Sequence, residues 1–328
     1  DNTTMTHHPT RRVFNLGLAA TLATPTAFAQ AWPAKPIRIV VPYPPGGFTD
    51  VTARLIGQKL QERLGQTIVV DNKAGANGTI GVADLARSAP DGYSFVIVIA
   101  AHAANPSLYA KLPYDNRNDL AAVSLIGVSP LVAAANNNAP FKNAQELIAY
   151  AKRNPGKVSF GSSGNGAAAH LTTELLKSLT QTDMVHIPYK GAAAALQDLI
   201  GGQIQLLFDA ASGLINPGKT GQVRLIGVAA ERRLPMLPEV PTFIEQGIAG
   251  FTGSTWAGLL APARTPPAII KRVSGEVSRI VQLDDVKSRL EGMGTLPAGS
   301  TPEEFAAFID AETAKWGKVI REAKVKLD

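Results

Sequence analysis

The stretch VVPYPPGGFTDVTARL (residues 40–55) decides the fold of this chain. It predicts the end of a strand, a glycine turn and a helix that begins near Asp50. Gly46 and Gly47 allow a ligand to approach the backbone closely. Thr49 suits the helix N-cap, and Asp50 suits the positive end of the helix dipole. The free N–H groups of such a helix start bind anions. A loop that caps its helix without any ligand is the alternative.

The rest of the chain repeats this alternation of strands and helices. The predicted strands are 36–43, 66–72, 94–101, 157–161, 184–188, 203–209 and 223–229. The predicted helices are 50–64, 79–88, 143–154, 167–180, 192–201, 266–282 and 302–323. This order predicts an α/β fold with mainly parallel sheets flanked by helices.

Two extended stretches, residues 130–141 and 251–266, are interpreted as crossings between two lobes. One lobe is then formed by residues 30–132 plus 256–328, and the other by residues 133–255. In such a fold the ligand site is expected between the lobes, where the carboxyl ends of the strands meet.

The first 29 residues have the layout of a secretory signal peptide. The natural start is expected at Met5, and Arg11-Arg12 precede an apolar run over residues 13–23. Cleavage is expected after Ala29, at the small-residue site AFA. The sequence TRRVF resembles a twin-arginine signal, but its continuation departs from that pattern, so twin-arginine export and general secretion both remain open. No later run approaches the ~20 apolar residues of a membrane helix. A periplasmic location is therefore expected.

Charge and composition exclude several classes of function. The net charge is +6 and the basic residues are scattered, whereas a nucleic-acid-binding protein gathers them on one face. There is no cysteine, which excludes disulfides, a thiol nucleophile and thiolate metal sites. Outside the first 29 residues the histidines are His102, His170 and His186, and their spacing does not match a metal motif. No metal site and no cofactor is expected.

A second glycine-rich junction is FGSSGNGAAAH (residues 160–170). Its hydroxyl groups and glycine N–H groups can hold a carboxylate or a phosphate without a cationic side chain. It is not a nucleophile elbow, because Asn165 stands where that motif requires glycine. His170 has two open interpretations, a buried structural histidine and a ligand contact. The candidate residues are Ser162, Ser163, Gly164, Asn165 and His170.

Three further junctions follow predicted strands. HIPYKGAAAAL contains Tyr189 and Lys190, LLFDAASG contains Asp209, and IAAHAANPSLY contains His102. Asp209 is interpreted either as a helix cap or as an acceptor for a ligand hydroxyl, an ammonium group or a bridging water. Each junction is a weak signal by itself. Together they predict one cleft, because all of them follow the carboxyl ends of strands.

The segment GLINPGKT (residues 213–220) matches the P-loop pattern at every fixed position. A P-loop lies between a strand and a helix, whereas this segment is followed by a predicted strand. Pro217 also lacks the N–H that a phosphate cradle uses. We therefore reject nucleotide binding here. The aromatic residues Phe48 and Trp256 can each be either a ligand contact or part of the core.

Several of these segments together resemble the Bug (TctC-like) family, the periplasmic receptors of tripartite tricarboxylate transporters. The resemblance rests on YPPGGFTDVTAR, HAANPSLYAKLPYD, GSSGNGAAAH, IPYKGAAAALQDLIGGQ, LPEVPTFIEQGIAGF and TPEEFAAFIDAETAKWGKVI. It implies a two-lobed periplasmic binding protein fold of a type II-like, flytrap form. It also implies a small carboxylate ligand (a di- or tricarboxylic, amino or aromatic acid) and a membrane permease as partner.

The resemblance also implies which residues hold the ligand. The turn with Tyr43, Pro45, Gly46, Gly47, Thr49 and Asp50 is expected to bind a carboxylate, largely through backbone N–H groups and waters. Phe48 holds a variable place in this motif and is expected to shape the site. The loop from Ser162 to His170, with Tyr189 and Asp209, is expected to contribute from the other lobe. A monomeric, non-enzymatic receptor is predicted, with a sensing module or a hydrolase as alternatives.

Overall fold

The computed structural model describes residues 2–4 and 32–327. The strands are β1 (Ile37–Val41), β2 (Ile68–Asn72), β3 (Ser94–Val98), β4 (Leu120–Ala135), β5 (Ser159–Ser162), β6 (Val185–Pro188), β7 (Leu206–Ala210), β8 (Arg224–Val228), β9 (Ser254–Pro262) and β10 (Leu296–Pro297). The helices are α1 (Phe48–Leu64), α2 (Thr79–Ala86), α3 (Ala101–Leu108), α4 (Ala144–Arg153), α5 (Ala168–Thr180), α6 (Ala192–Ile200), α7 (Ala211–Lys219), α8 (Pro267–Ile280), α9 (Asp284–Gly292) and α10 (Pro302–Ala323). Apart from residues 2–4, the predicted signal peptide and its cleavage after Ala29 lie outside the described residues.

The described strands form one mixed sheet in the order β2–β1–β3–β9–β4–β7–β5–β6, and β8 and β10 also pair with β4. At one end β1 pairs in parallel with β2 and β3, and at the other end β5 pairs in parallel with β6 and β7. The predicted α/β class is confirmed. In the middle, β4 and β9 run antiparallel to each other. An alternation of strands and helices does not indicate such a pair, because β5–β8 and α4–α7 separate its two members along the chain.

Strand β4 begins ten residues earlier than the extended stretch predicted at residue 130. Its 16 residues span about 50 Å at ~3.3 Å per residue. Its first part pairs with β9, and its second part pairs with β7 and β8. Gly127 lies inside it because a Cβ there would lie 2.9 Å from the carbonyl oxygen of Leu296 in β10. Gly127 and Pro130 both lie inside this strand, where glycine and proline are uncommon.

The buried apolar side chains form separate clusters on the two parts of the sheet. Two clusters draw on residues 37–126 and 256–305, and two others draw on residues 131–251. A small cluster on α3, α5 and α10 connects the two groups through Ala104, Leu171 and Trp316. The lobe boundaries at 132/133 and 255/256 stay a prediction.

Helices α3, α7 and α9 were not predicted from the sequence. Each has only eight or nine residues, and α3 and α7 contain Pro106 and Pro217. Such short, proline-containing segments show little helical periodicity. The P-loop-like segment 213–220 lies mostly within α7, so it does not form the loop that the motif requires. No helix among the described residues has both the length and the apolar composition of a membrane span.

Candidate functional site

A cavity of about 1020 Å³ opens at the carboxyl ends of β1, β3, β5, β6 and β7. The predicted site residues in its wall are Tyr43, Pro45, Gly47, Phe48, Thr49, Ser163, Gly164, Asn165, Lys190 and Asp209. The structure therefore brings together all five junctions that the sequence singled out, and the fifth contributes Ile99, Ala101 and Tyr109, although His102 itself does not line the cavity. A role in ligand binding stays a prediction for each of these residues.

Six helices begin at the wall of this cavity. Their first residues or N-caps lie in the wall, namely Gly47 (α1), Gly78 (α2), Ala101 (α3), Ala167 (α5), Gly191 (α6) and Ala210 (α7). None of these six helices has a hydrogen bond from a capping side chain. Of the helices that begin elsewhere, α4 and α10 are capped by Asn143 and Thr301, whereas α8 and α9 also lack a side-chain cap. The six starts therefore direct N–H groups and the positive ends of helix dipoles towards the cavity.

Asp50 stabilises the glycine turn before α1 through hydrogen bonds on the side away from the cavity. This carboxylate accepts hydrogen bonds from Gly46 N–H (2.9 Å), Arg54 Nε (3.0 Å) and Asn72 Nδ2 (2.9 Å). The hydrogen bond from Arg54 is the main reason that the pKa of Asp50 falls to about 2. Gly46 has a φ of +83°, which favours glycine. Asp50 and Gly46 do not line the cavity, so their hydrogen bond stabilises the turn that brings Gly47, Phe48 and Thr49 to the wall.

In the loop before α5, too, one residue stabilises the loop and its neighbour lines the cavity. Ser162 is fully buried, and its Oγ accepts from Gly164 N–H (3.2 Å) and donates to Gly164 O (3.0 Å). Its Oγ also lies 2.6 Å from Nε2 of His186. The tautomer of His186 decides which of these two atoms is the donor. Ser162 therefore shapes the loop, and its neighbour Ser163 lines the cavity.

His170 lies beneath the same loop and does not line the cavity. Its Nδ1 accepts a hydrogen bond from Gly166 N–H at 3.1 Å, so the ring is neutral. Burial lowers the pKa of His170 to about 3 and that of His186 to about 4. The interpretation of His170 as a structural histidine therefore fits its geometry better than a direct ligand contact.

Two further predicted residues point away from the cavity. The Tyr189 hydroxyl donates to Asp198 at 2.7 Å. His102 is buried and lies against Tyr114, with ring centroids 6.4 Å apart, and burial lowers its pKa to about 4. Trp256 is fully buried, and its indole N–H donates to Glu312. It therefore belongs to the core, whereas Phe48 lines the cavity.

The cavity wall contains two charged side chains of opposite sign, those of Asp209 and Lys190. Burial raises the pKa of Asp209 to about 6. Lys190 is exposed, and no ion pair joins it to a carboxylate among the described residues. The wall can therefore attract an anion mainly through backbone N–H groups, with Lys190 as an additional positive charge.

Sequence reasoning missed one part of the wall, the segment GANG (residues 75–78). Its single turn of 3₁₀ helix contains Asn77 in a left-handed conformation, with a φ of +52°. Asn77 and Asn105 exchange hydrogen bonds at 2.9 and 3.1 Å, which fixes the segment. The signal was present, because two glycines and an asparagine stand between a predicted strand and a predicted helix. Thr255 also lines the cavity without a sequence signal, and Tyr109 lines it at the end of the predicted junction IAAHAANPSLY.

Comparison with known proteins shows relatives over nearly the whole chain. The family model for the tripartite tricarboxylate transporter family receptor (TctC) matches residues 52–325. BugT from Bordetella pertussis is 36% identical over 310 residues, which cover 94% of this chain and 95% of BugT.

Solved structures of similar proteins also match this chain over most of its length. A periplasmic transporter with 38% identity superposes with a TM-score of 0.81, covering 91% of this chain and 100% of that one. Rpa4515 from R. palustris with adipate has 33% identity and a TM-score of 0.82, covering 90% and 100%. MatC from Rhodopseudomonas palustris with bound malate has 32% identity and a TM-score of 0.77, covering 88% and 99%.

Proposed function

This chain belongs to the tripartite tricarboxylate transporter receptor family, and from that premise we propose that it is a periplasmic solute receptor. It binds a small carboxylate in the cavity of about 1020 Å³ and delivers it to a membrane permease. The protein acts as a monomer and does not transform its ligand. Two relatives of known structure were solved with adipate and malate, which are small dicarboxylates.

The convergence of six uncapped helix starts on one cavity carries this proposal. Backbone N–H groups at helix starts bind carboxylates without a cationic side chain. Thr49 and Ser163 add hydroxyl groups, and Lys190 adds one positive charge. Micromolar affinity requires about 8 kcal/mol, and a charge-assisted hydrogen bond contributes about 1.5–3 kcal/mol. Several such bonds are therefore required, and this wall has enough donors for them.

Contacts between the two proposed lobes support a closing motion around the ligand. Leu108 at the end of α3 packs against Gly166 in the loop before α5. Lys315 of α10 donates to the carbonyl oxygen of Thr252 at 2.9 Å. A ligand that contacts both lobes favours the closed state, because its interaction energy differs between the open and closed states. The permease would recognise that closed state.

One observation favours a second function, because Ser162 and His186 form a pair that resembles a nucleophile and its base. A nucleophilic serine needs its oxygen free to attack the substrate. Ser162 is fully buried, and its hydroxyl donates to Gly164 O. These contacts support a structural role, so a hydrolase is the weaker proposal. Product formation from a bound ester would favour it.

A thermal-shift and calorimetry screen tests the receptor proposal. The panel contains succinate, malate, adipate, citrate, aspartate and nicotinate, with a neutral sugar and MgATP as controls. A ligand at 100 times its dissociation constant stabilises the protein by about 2.7 kcal/mol. We expect a shift with one class of carboxylate and none with the controls. The absence of a response to every carboxylate would refute the proposal.

Transport and location need their own measurements. We expect uptake of the bound carboxylate by cells that contain the permease to require this protein. Unchanged uptake after its deletion would instead support a sensing module. Fractionation should recover the protein in the periplasm, and N-terminal sequencing should begin at Gln30, directly after Ala29.

A further inference from the structure

Asp209 is a carboxylate in the wall of a cavity that is otherwise built to attract anions. It lies at the end of β7, where it pairs with Val132 of β4. On the other side, Leu207 pairs with Gly161 of β5, so the register brings Asp209 level with Ser163. Both Asp209 and Ser163 line the cavity. The ligand that the proposed function places here therefore meets this carboxylate.

Asp209 differs from the other acidic side chains in this part of the molecule. Asp50 is paired with Arg54, Asp198 accepts from Tyr189, and Glu312 accepts from two indole N–H groups. Among the described residues, no side chain donates a hydrogen bond to Asp209 or forms an ion pair with it. Its pKa is raised by burial, which agrees with a carboxylate that lacks a positive partner.

The start of α7 restricts the carboxylate of Asp209. A Cβ atom at Gly213 would lie 2.6 Å from Asp209 Oδ2. The helix therefore packs directly against this oxygen, and Gly213 is the residue that permits it. Because the helix blocks this side, the carboxylate keeps its place in the cavity wall.

A carboxylate in this position discriminates between ligands. A ligand group that carries a proton, such as an ammonium or hydroxyl group, satisfies Asp209 with a charge-assisted hydrogen bond. A methylene group offers no donor, so the buried Asp209 carboxylate keeps only its backbone hydrogen bond with Ala210, which is unfavourable. A second ligand carboxylate close to it adds repulsion. A site with a buried polar group rejects the analogue that lacks the complementary group.

We propose that Asp209 is a specificity-determining residue that selects carboxylates carrying a hydrogen-bond donor, an ammonium or a hydroxyl group, over unsubstituted carboxylates of the same length. This inference rests on the proposed receptor function and identifies the chemical class of its ligand. The N–H groups of the helix starts hold the ligand carboxylate, and Asp209 accepts from the donor group.

Two matched series of ligands test this selection. The first is succinate, malate and aspartate, and the second is adipate, 2-hydroxyadipate and 2-aminoadipate. Within each series only one substituent changes, from hydrogen to hydroxyl to ammonium. Calorimetry at pH 8 keeps Asp209 ionised. In the better-fitting series we expect the wild type to bind the substituted acids at least tenfold more tightly than the unsubstituted acid.

Asp209→Asn should remove this preference. This variant should bind the amino-substituted ligand (aspartate or 2-aminoadipate) at least tenfold more weakly than the wild type does. It should bind the unsubstituted diacid (succinate or adipate) equally well or more tightly. Gly213→Ala is the second variant, because it keeps the charge but displaces the carboxylate, and it should reduce the preference in the same direction. Asp310→Asn is the matched control, since Asp310 is exposed and pairs with Arg117 at 2.9 Å. This control should keep the wild-type preference.

The outcomes separate this inference from the proposed function. A wild type that binds no member of either series overturns this inference, and it contradicts the receptor proposal as well if citrate and nicotinate also fail to bind. A wild type that binds the unsubstituted acid as tightly as the substituted ones overturns the role of Asp209. A preference that survives in both Asp209→Asn and Gly213→Ala overturns it as well.

Discussion

The imidazole rings of His170 and His186 stack with their centroids 3.7 Å apart and their planes within 15°. His170 accepts from Gly166 N–H, and His186 contacts Ser162 Oγ, so the pair holds both ends of the loop that contributes Ser163 to the cavity. Two neutral rings can pack this closely, whereas two protonated rings would repel each other. The loop therefore depends on the neutral form of both histidines.

This dependence predicts a loss of stability in acid. Burial lowers the pKa of His102, His170 and His186 from 6.5 to about 4, 3 and 4. Their contribution to stability is complete above pH 6.5 and decreases as the pH falls, because the unfolded chain binds these protons first. Asp209 has the opposite effect on stability as the pH falls from 6 to 3.8. Its pKa in the folded protein is raised to about 6, so the folded protein binds this proton before the unfolded chain does. Unfolding between pH 4 and 6 should therefore take up about two protons.

Urea unfolding at a series of pH values measures this proton uptake. His186→Phe keeps a flat ring at the stack and should lower the uptake by about one proton. A free energy of unfolding that stays constant from pH 7 to pH 4.5 would show that the buried histidines do not control acid stability.

The neighbouring serines of the second loop should respond differently to alanine. Ser162→Ala removes two hydrogen bonds with Gly164 and the contact with His186 in β6, and it leaves Gly164 N–H without its partner. We expect a loss of about 1–3 kcal/mol of stability, measured by urea unfolding. Ser163→Ala removes a hydroxyl from the cavity wall only, so it should keep the stability and weaken carboxylate binding. Equal losses of stability in the two variants would contradict this division.

Asp50 should act on the ligand through the turn that it holds. Asp50→Ala leaves Gly46 N–H and Asn72 Nδ2 without an acceptor, so we expect a loss of about 1–3 kcal/mol of stability together with weaker carboxylate binding. Arg54→Ala should have a smaller effect on both, because the Arg54 side chain is 54% exposed and water can replace it. Urea unfolding and calorimetry on both variants measure the difference. An Asp50→Ala variant with wild-type affinity would exclude this positioning role.

The sequence predicted the elements that depend on local pattern. The glycine turn before α1 and the loop before α5 were placed correctly at the cavity, because glycine and short polar residues between strand and helix have a clear signature. The supports behind these loops were missed. Asn72 and Asp50 lie 22 residues apart, and His170 meets His186 only because β5 and β6 pair in parallel. Such contacts depend on strand register, which a single sequence does not reveal.

The start of β4 was predicted ten residues too late for a different reason. Nearly all of its residues are buried on both faces, so the sequence lacks the period of two that identifies a half-exposed strand. Its pairing with β9 joins segments about 130 residues apart. The orientation of Asp209 was also beyond sequence reasoning, because the contact that restricts it comes from Gly213 in a helix that was not predicted.

Gly166 should allow the loop before α5 to approach α3 closely, because it has no side chain. Its φ is +73°, and a Cβ there would overlap Leu108, so Gly166→Ala combines backbone strain with a steric clash. Gly221→Ala is the matched control, because Gly221 has the same φ of +73° and no atom within 4 Å of the added Cβ. We expect both variants to lose about 1–2 kcal/mol of stability from the left-handed backbone. Only Gly166→Ala should also weaken carboxylate binding, because the clash separates two elements of the cavity, and adding Leu108→Ala should restore part of the affinity. If the affinities of the Gly166→Ala and Gly221→Ala variants are equal in calorimetry, the contact with Leu108 does not contribute to closure.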